Sequence, residues 1–161
     1  MKMSYIVFGT LLIFVISCRN INSNDELDPA LERDEILRLH NLQRDFHFQK
    51  RVEEFASLLS ESHISVNRGE IKHPAREENI DRFGNYFDNV DFVKWDDLQP
   101  PIIRFSDDYS LAYTTVNKEV IVKYQDEMNN EVRDSTEYSW VAIYKKYSDG
   151  WKIDCVASTN K

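Results

Sequence analysis

Four glycines, four prolines and two cysteines are all that this chain of 161 residues holds of the residue types that most often mark special backbone or covalent structure. So few glycines leave little material for a phosphate-cradling loop, and no Gly-x-Ser-x-Gly elbow occurs, so neither site has support. The histidines, His40, His47, His63 and His73, show no i, i+4 spacing around a glutamate and have no cysteine pair near them. Zinc is therefore not expected, and nothing else implies a metal or a cofactor. Positive charge is also scarce: 20 basic against 28 acidic residues give a net charge of −8. Such a surface repels phosphate backbones and argues against a nucleic-acid partner. No internal repeat and no low-complexity stretch interrupts the chain.

What is present begins with an address. Met1-Lys2-Met3 is short and positive, and residues 5 to 16 carry no charge, the layout of a signal peptide. An apolar run of about a dozen residues covers only about 18 Å as a helix, short of the roughly 30 Å hydrocarbon core, so removal is expected rather than a permanent span. The run ends in Val15-Ile16-Ser17-Cys18, which resembles the bacterial lipobox. That resemblance implies a signal peptide over residues 1–17, cleavage before Cys18 and acylation of its thiol. Two or three acyl chains, at about 0.8 kcal/mol per buried methylene, hold a protein to a bilayer. The expected location is the cell envelope, with the membrane as partner, and residues 18–27 read as a polar tether. With Cys18 committed to lipid, Cys155 has no cysteine left to pair with, so stability must come from packing. Cys155 alternates with Trp151, Ile153 and Ala157, which predicts a structural thiol on the apolar face of a strand.

Residues 28–161 form one domain, and the apolar period changes within it. Residues 29 to 49 read as a helix with the stripe Ile36, Leu39, Leu42 and Phe46; Val52, Phe55, Ala56 and Leu59 give a second, short helix. Residues 64 to 66 suggest a brief strand closed by a turn at Arg68-Gly69. Pro74 suits the first turn of a third helix, with Ile80, Phe83, Gly84 and Phe87 buried and Gly84 allowing close approach to a sheet. Beyond Asp88-Asn89 the pattern becomes β. One strand runs from 92 to 98, Pro100-Pro101 breaks it, 102 to 106 resume, 111 to 124 and 133 to 147 make a long hairpin, and 151 to 158 end the set. Helices followed by strands predict an α+β domain. In the hairpin Val141 and Ile143 face one way and Tyr138, Trp140, Ala142 and Tyr144 the other, so both faces need cover.

This element order resembles the nuclear transport factor two-like superfamily, which includes the ketosteroid isomerase and SnoaL-like branches. Three segments carry the likeness: residues 47 to 55, His47-Phe48-Gln49-Lys50-Arg51-Val52-Glu53-Glu54-Phe55; Val66-Asn67-Arg68-Gly69; and the ending 144 to 153, in which a Ser148-Asp149-Gly150 turn precedes Trp151. The resemblance implies a curved, mostly antiparallel sheet wrapped around three N-terminal helices into a cone-shaped α+β barrel. It also implies an apolar pocket at the open end and homodimerisation through the sheet's outer face. It implies no particular reaction, because sites rather than folds carry chemistry. In the isomerase branch the proton-shuttling carboxylate lies on the strand after the second helix; here residues 64 to 68 contain no acid and Glu70 comes only after the turn.

His40 and His47 project from about the same side of the first helix with Gln43 between them. His47 is a candidate general base or orienting donor, against the plainer reading of a packed helix histidine. Asp96 and Asp97 follow Trp95, and alternation sends them to opposite faces, so one of them enters a cavity or both form a solvated strand end. Trp95, Tyr113, Tyr138, Trp140 and Tyr144 fall on strands, where they line a pocket or form a dimer patch. The candidate pocket is His47, Trp95, Tyr113, Tyr138 and Trp140, and the candidate catalytic groups are His47, Asp96 and Asp97. Three functions remain in play. The first is an envelope lipoprotein binding a small apolar or amphipathic molecule or a protein partner. The second is a SnoaL-like enzyme doing acid/base chemistry of isomerase, cyclase or dehydratase type. The third is a structural dimer.

Overall fold

The computed structural model describes residues 27–161, so the expected signal peptide and all but the last residue of the tether lie outside the described residues. Helix α1, Pro29–Phe48, starts where Asp28 accepts a hydrogen bond from the Ala30 N–H at 2.9 Å, with proline at its first position. Its buried face is Ile36, Leu39, His40, Gln43, Phe46 and His47. Lys50, at φ 54°, turns the chain into the short helix α2, Val52–Ser57. Strand β1, Leu59–Asn67, starts five residues earlier than its apolar core suggested. It pairs with β2, Glu70–Lys72, across Arg68 and Gly69, both at positive φ as a tight hairpin turn requires. Helix α3, Arg76–Asn89, follows Pro74 and Ala75, and Glu78 accepts from the Ala75 N–H at 2.9 Å.

The rest is sheet: β3, Asp91–Asp97; β4, Ile102–Phe105; β5, Leu111–Gln125; β6, Glu131–Tyr147; and β7, Gly150–Asn160. The strand order is β2-β1-β7-β6-β5-β3, and β4 also pairs with β5. β3 takes residues 118 to 123 of β5 and β4 takes 112 to 115, so the Pro100-Pro101 break lets two short strands share one long edge. β1 runs parallel to β7, and the other pairs are antiparallel. The sheet curves over the helices without closing.

Alternation decides which face of β5 and β6 is covered. Ala112, Thr114, Val116, Lys118, Val120 and Val122 are buried along β5, and Ala142 and Tyr144 along β6. Ala112, Ala142 and Tyr144 join Ile36, Leu39 and Phe46 of α1, Phe55 of α2 and Phe87 of α3 in one cluster, while Val120 and Val122 join Val90 and Trp95 in a second. Each fully buried large apolar side chain contributes roughly 1.5–3 kcal/mol. Among the described residues, both hydrophobic clusters are built from residues between Ile36 and Val156, so residues 27–161 carry a hydrophobic core of their own on which to fold.

Three expectations change. Gly84 does not meet the sheet; the nearest atom to a Cβ there is Val52 Cγ2 of α2, at 4.0 Å. In α3, Phe87 is buried with Asn79, whereas Ile80, Phe83 and Gly84 are half-buried, because α3 packs chiefly on α2. Cys155 is not on the face of Trp151 and Ile153. A register shift sets Ile143 opposite Cys155 but Tyr144 opposite Ile153, so the extra residue, Asp154, reverses the alternation and turns Cys155 outward beside Ile143. Cys155 is half-buried there, and burial pushes its thiol up.

Candidate functional site

Between the inner face of the sheet and the three helices lies a cavity of about 310 Å3. Its walls are aromatic and aliphatic: Phe55, Phe83, Trp95 and Trp140, with Leu59, Val120, Ile153 and Val156. Polar groups are interspersed: Gln43, His47, His63, Ser65, Asn67, Ser158 and the phenols Tyr86 and Tyr138, with Arg82 from α3. An apolar hollow with a few polar groups is the usual make-up of a small-molecule site, and this volume is at the small end of the range.

His47 comes from the last turn of α1, and only 6% of it is exposed. Its Nδ1 lies 2.6 Å from the Gln43 carbonyl oxygen, one turn back. A carbonyl only accepts, so Nδ1 carries the hydrogen and a neutral ring presents the Nε2 lone pair. Among the described residues nothing bonds to Nε2. The ring stacks on Trp95 at 4.7 Å between centroids, with Phe55, Phe87 and Phe92 packed about it at 4.9 to 5.2 Å. Burial drives its pKa down to about 4; the Gln43 carbonyl opposes this and the Lys118 charge adds to it. His47 is thus a neutral acceptor at neutral pH.

The second polar cluster sits beside this cavity and does not line it. Asp97 Oδ2 accepts from His40 Nε2 at 2.8 Å, and Lys118 Nζ lies 2.7 Å from Asp97 Oδ1. Lys118 is buried, with its ammonium 3.7 Å from the Trp95 ring centroid, so carboxylate and indole face replace the water it gives up. Burial would raise the Asp97 pKa, but His40 and Lys118 outweigh it and hold the carboxyl below its usual range. Burial also pulls Lys118 down, against the pull of Asp97. Tyr144 takes a 3.3 Å hydrogen bond from Gln43, and burial pushes its phenol to about 12.

The structure therefore brings together His47, Trp95, Tyr138 and Trp140 of the expected pocket and leaves Tyr113 out. Tyr113 alternates with the buried Ala112 and Thr114, which points it to the outer face. Asp96 and Asp97 do part to opposite faces: Asp97 enters the interior, while Asp96 pairs with Arg44 at 3.0 Å on the surface. A carboxylate–imidazole pair exists, but its histidine is His40. The longer β1 adds Glu61 after the second helix, yet Glu61 is exposed and borders a different cleft. That cleft, of about 560 Å3, lies among serines, Arg76, Lys152 and chain turns, with Ala56, Leu59 and Tyr147 as its apolar wall, and it holds none of the expected site residues. Among the described residues, no three histidine, cysteine or acidic side chains gather to hold a metal ion. Sequence reasoning missed Lys118, His63 and Arg82. Lys118 had a visible signal, a lone cation in the inward register of β5; His63 and Arg82 had none, because their approach depends on how β1 and α3 pack.

By sequence, no family model and no curated protein matches the chain. Its fold is similar to solved structures. An NTF2-like protein from Cytophaga hutchinsonii shares 20% identity at a TM-score of 0.60, over 80% of this chain and 98% of that one. A candidate dehydratase from the NTF2-like family of Streptomyces avermitilis shares 11% at 0.64, over 81% and 97%. ActVI-ORFA from Streptomyces coelicolor shares 12% at 0.63, over 83% and 97%. The chain has the nuclear transport factor two-like fold.

Proposed function

We propose that this chain is a cell-envelope lipoprotein, anchored through Cys18, whose domain binds a small apolar or amphipathic molecule in the cavity under the curved sheet. The observation that carries the binding role is the aromatic-walled hollow with neutral His47 set into it. Stacking surfaces hold a flat or branched apolar body, and the Nε2 lone pair accepts from one ligand N–H or O–H, fixing orientation.

Catalysis is the second reading, supported by the free Nε2 and by the likeness to a candidate dehydratase. Two features weigh against it. Among the described residues no carboxylate lines the cavity, so a general base there lacks an acid partner. A histidine whose pKa is about 4 is a weak base, far from the near-neutral value that makes proton transfer efficient.

Trp95 and Trp140 line the cavity, so their emission reports its occupancy. Titrating residues 27–161 with a hydrophobic probe such as 1-anilinonaphthalene-8-sulfonate is expected to give a saturable fluorescence change that His47→Trp, which fills the cavity, abolishes. A linear, non-saturating response in the unsubstituted domain refutes the binding role. The anchor is tested separately: Cys18→Ser is expected to move the full chain out of the acylated pool, and unchanged incorporation of labelled palmitate would rule the anchor out.

A further inference from the structure

Among the described residues most of the cavity's lining is neutral, and its one formal charge stands out because the chain as a whole is acidic. That charge is Arg82 of α3, which sits at the cavity mouth with its side chain partly in solvent. Its guanidinium lies 4.3 Å above the Phe83 ring and donates one hydrogen bond, at 3.1 Å, to Asn79 Oδ1 one turn back. A guanidinium has five N–H donors, so most of its capacity remains. Among the described residues, no carboxylate pairs with it; burial lowers its pKa and no acid raises it back. In the same helix Arg76 pairs with Glu53, at 3.4 Å, so a carboxylate partner is available to α3 but does not reach Arg82.

Tyr86 is four residues further along α3, on the same side of the helix, and also lines the cavity. Burial pushes its phenol to about 12, so it stays protonated and able to donate. Ser65, Asn67 and Ser158 add neutral polar groups to the lining, and among the described residues no second cation joins them. One planar fork with neutral donors suits a singly charged, planar anion; a phosphate dianion would call for more positive charge.

We infer that the cavity takes an amphipathic carboxylic acid, with its apolar body against Trp95, Trp140 and Phe55 and its carboxylate on the Arg82 guanidinium at the mouth. This rests on the binding role proposed above and names the chemical class of the ligand.

The test compares 4-phenylbutyrate with its isosteric amide, 4-phenylbutanamide, by calorimetric titration of residues 27–161 at pH 7. The two differ in head-group charge and little in shape. A charge-assisted hydrogen bond to a partly exposed guanidinium is expected to favour the acid by about ten-fold. Arg82→Gln is expected to bring the acid down to the affinity of the amide while the amide's own affinity stays within about two-fold. If acid and amide bind with equal affinity, or the amide binds tighter, the cavity binds ligands and the carboxylate assignment is wrong. If the acid is preferred but Arg82→Gln keeps the preference, Arg82 is not the anion site and the inference again fails. If neither compound binds and the hydrophobic probe does not saturate either, the binding role itself falls.

Discussion

A histidine with its ring between a tryptophan and three phenylalanines cannot easily accept a proton, and the consequence for stability has a definite sign. In the unfolded chain the imidazole takes a proton near pH 6.5, whereas His47 in the folded protein takes one only near pH 4. Between these values the unfolded state binds more protons, so stability is complete above pH 6.5, falls as the pH drops towards 4, and levels off below. From pH 7 to pH 5 the expected loss is about 2 kcal/mol. His63 adds to it in the same window, since burial lowers its pKa too. Urea denaturation of residues 27–161 at the two pH values measures the sum. His47→Asn keeps a donor for the Gln43 carbonyl and removes the titrating ring, so it is expected to lower stability at pH 7 yet leave only the His63 part of the slope. An unchanged slope in His47→Asn would show that His47 is not the buried titrating group. Asp97 acts in a separate window: its depressed pKa adds stability present above its unfolded value, near 3.9, and lost as the pH falls through the folded one.

At the scale of elements, the last strand shows where local pattern stops being informative. The period-two alternation of β5 and β6 was legible because Val141 and Ile143 against Ala142 and Tyr144 runs unbroken through one face. In β7 the same alternation misplaced Cys155, because the bulge residue Asp154 bonds to side chains on other strands, two of them on β1 and far off in sequence. Its Oδ1 accepts from Tyr147 at 2.7 Å, from Ser60 at 2.7 Å and from Ser62 at 3.2 Å. Those hydroxyls belong to β1 and β6, so one carboxylate joins three strands across the parallel seam, where β1 shifts register between Leu59 and Ile64. Burial would raise the Asp154 pKa, but the three hydroxyl donors outweigh it and hold the carboxyl below its usual range. Hydrogen bonds to a charged group are each worth about 1.5–3 kcal/mol, less at a partly open site. Asp154→Ala is therefore expected to cost about 2 kcal/mol and to speed amide hydrogen exchange in β1 more than in β5. Equal protection in the two strands would show that the bulge holds without its carboxylate. The same limit explains the site: Trp95 and Trp140 were readable from strand periodicity, but which histidine would meet Asp97 depends on how α1 lies across β3, and that is a tertiary fact.

For the molecule as a whole, a one-sided cover is the main consequence of the fold. Helices take the inner face of the sheet, and the outer face keeps two apolar rows running across its strands. Ladder pairing aligns Tyr113, Ile143, Cys155 and Ile64 in one row. It aligns Ile102, Thr115, Val141, Ala157 and Val66 in the next. Ile102, Tyr113, Val141 and Ile143 are exposed, and a patch of this kind is unusual on a protein that stays single. A second copy of the same face would cover it by a two-fold axis, each row meeting its own counterpart. With the Cys18 anchor proposed above, a dimer would carry twice the acyl chains of a single copy, which would strengthen anchoring without any new contact. Residues 27–161 are therefore expected to sediment as a dimer at tens of micromolar, on the order of the affinity a patch of standard size can supply. Ile143→Glu combined with Val141→Glu is expected to yield a monomer, because buried like charges without partners oppose association. Since both side chains point away from the cavity, the monomer should bind the hydrophobic probe as the dimer does. A monomeric unsubstituted domain at that concentration would leave the outer face without this role, and a dimer that survives both substitutions would place the contact elsewhere.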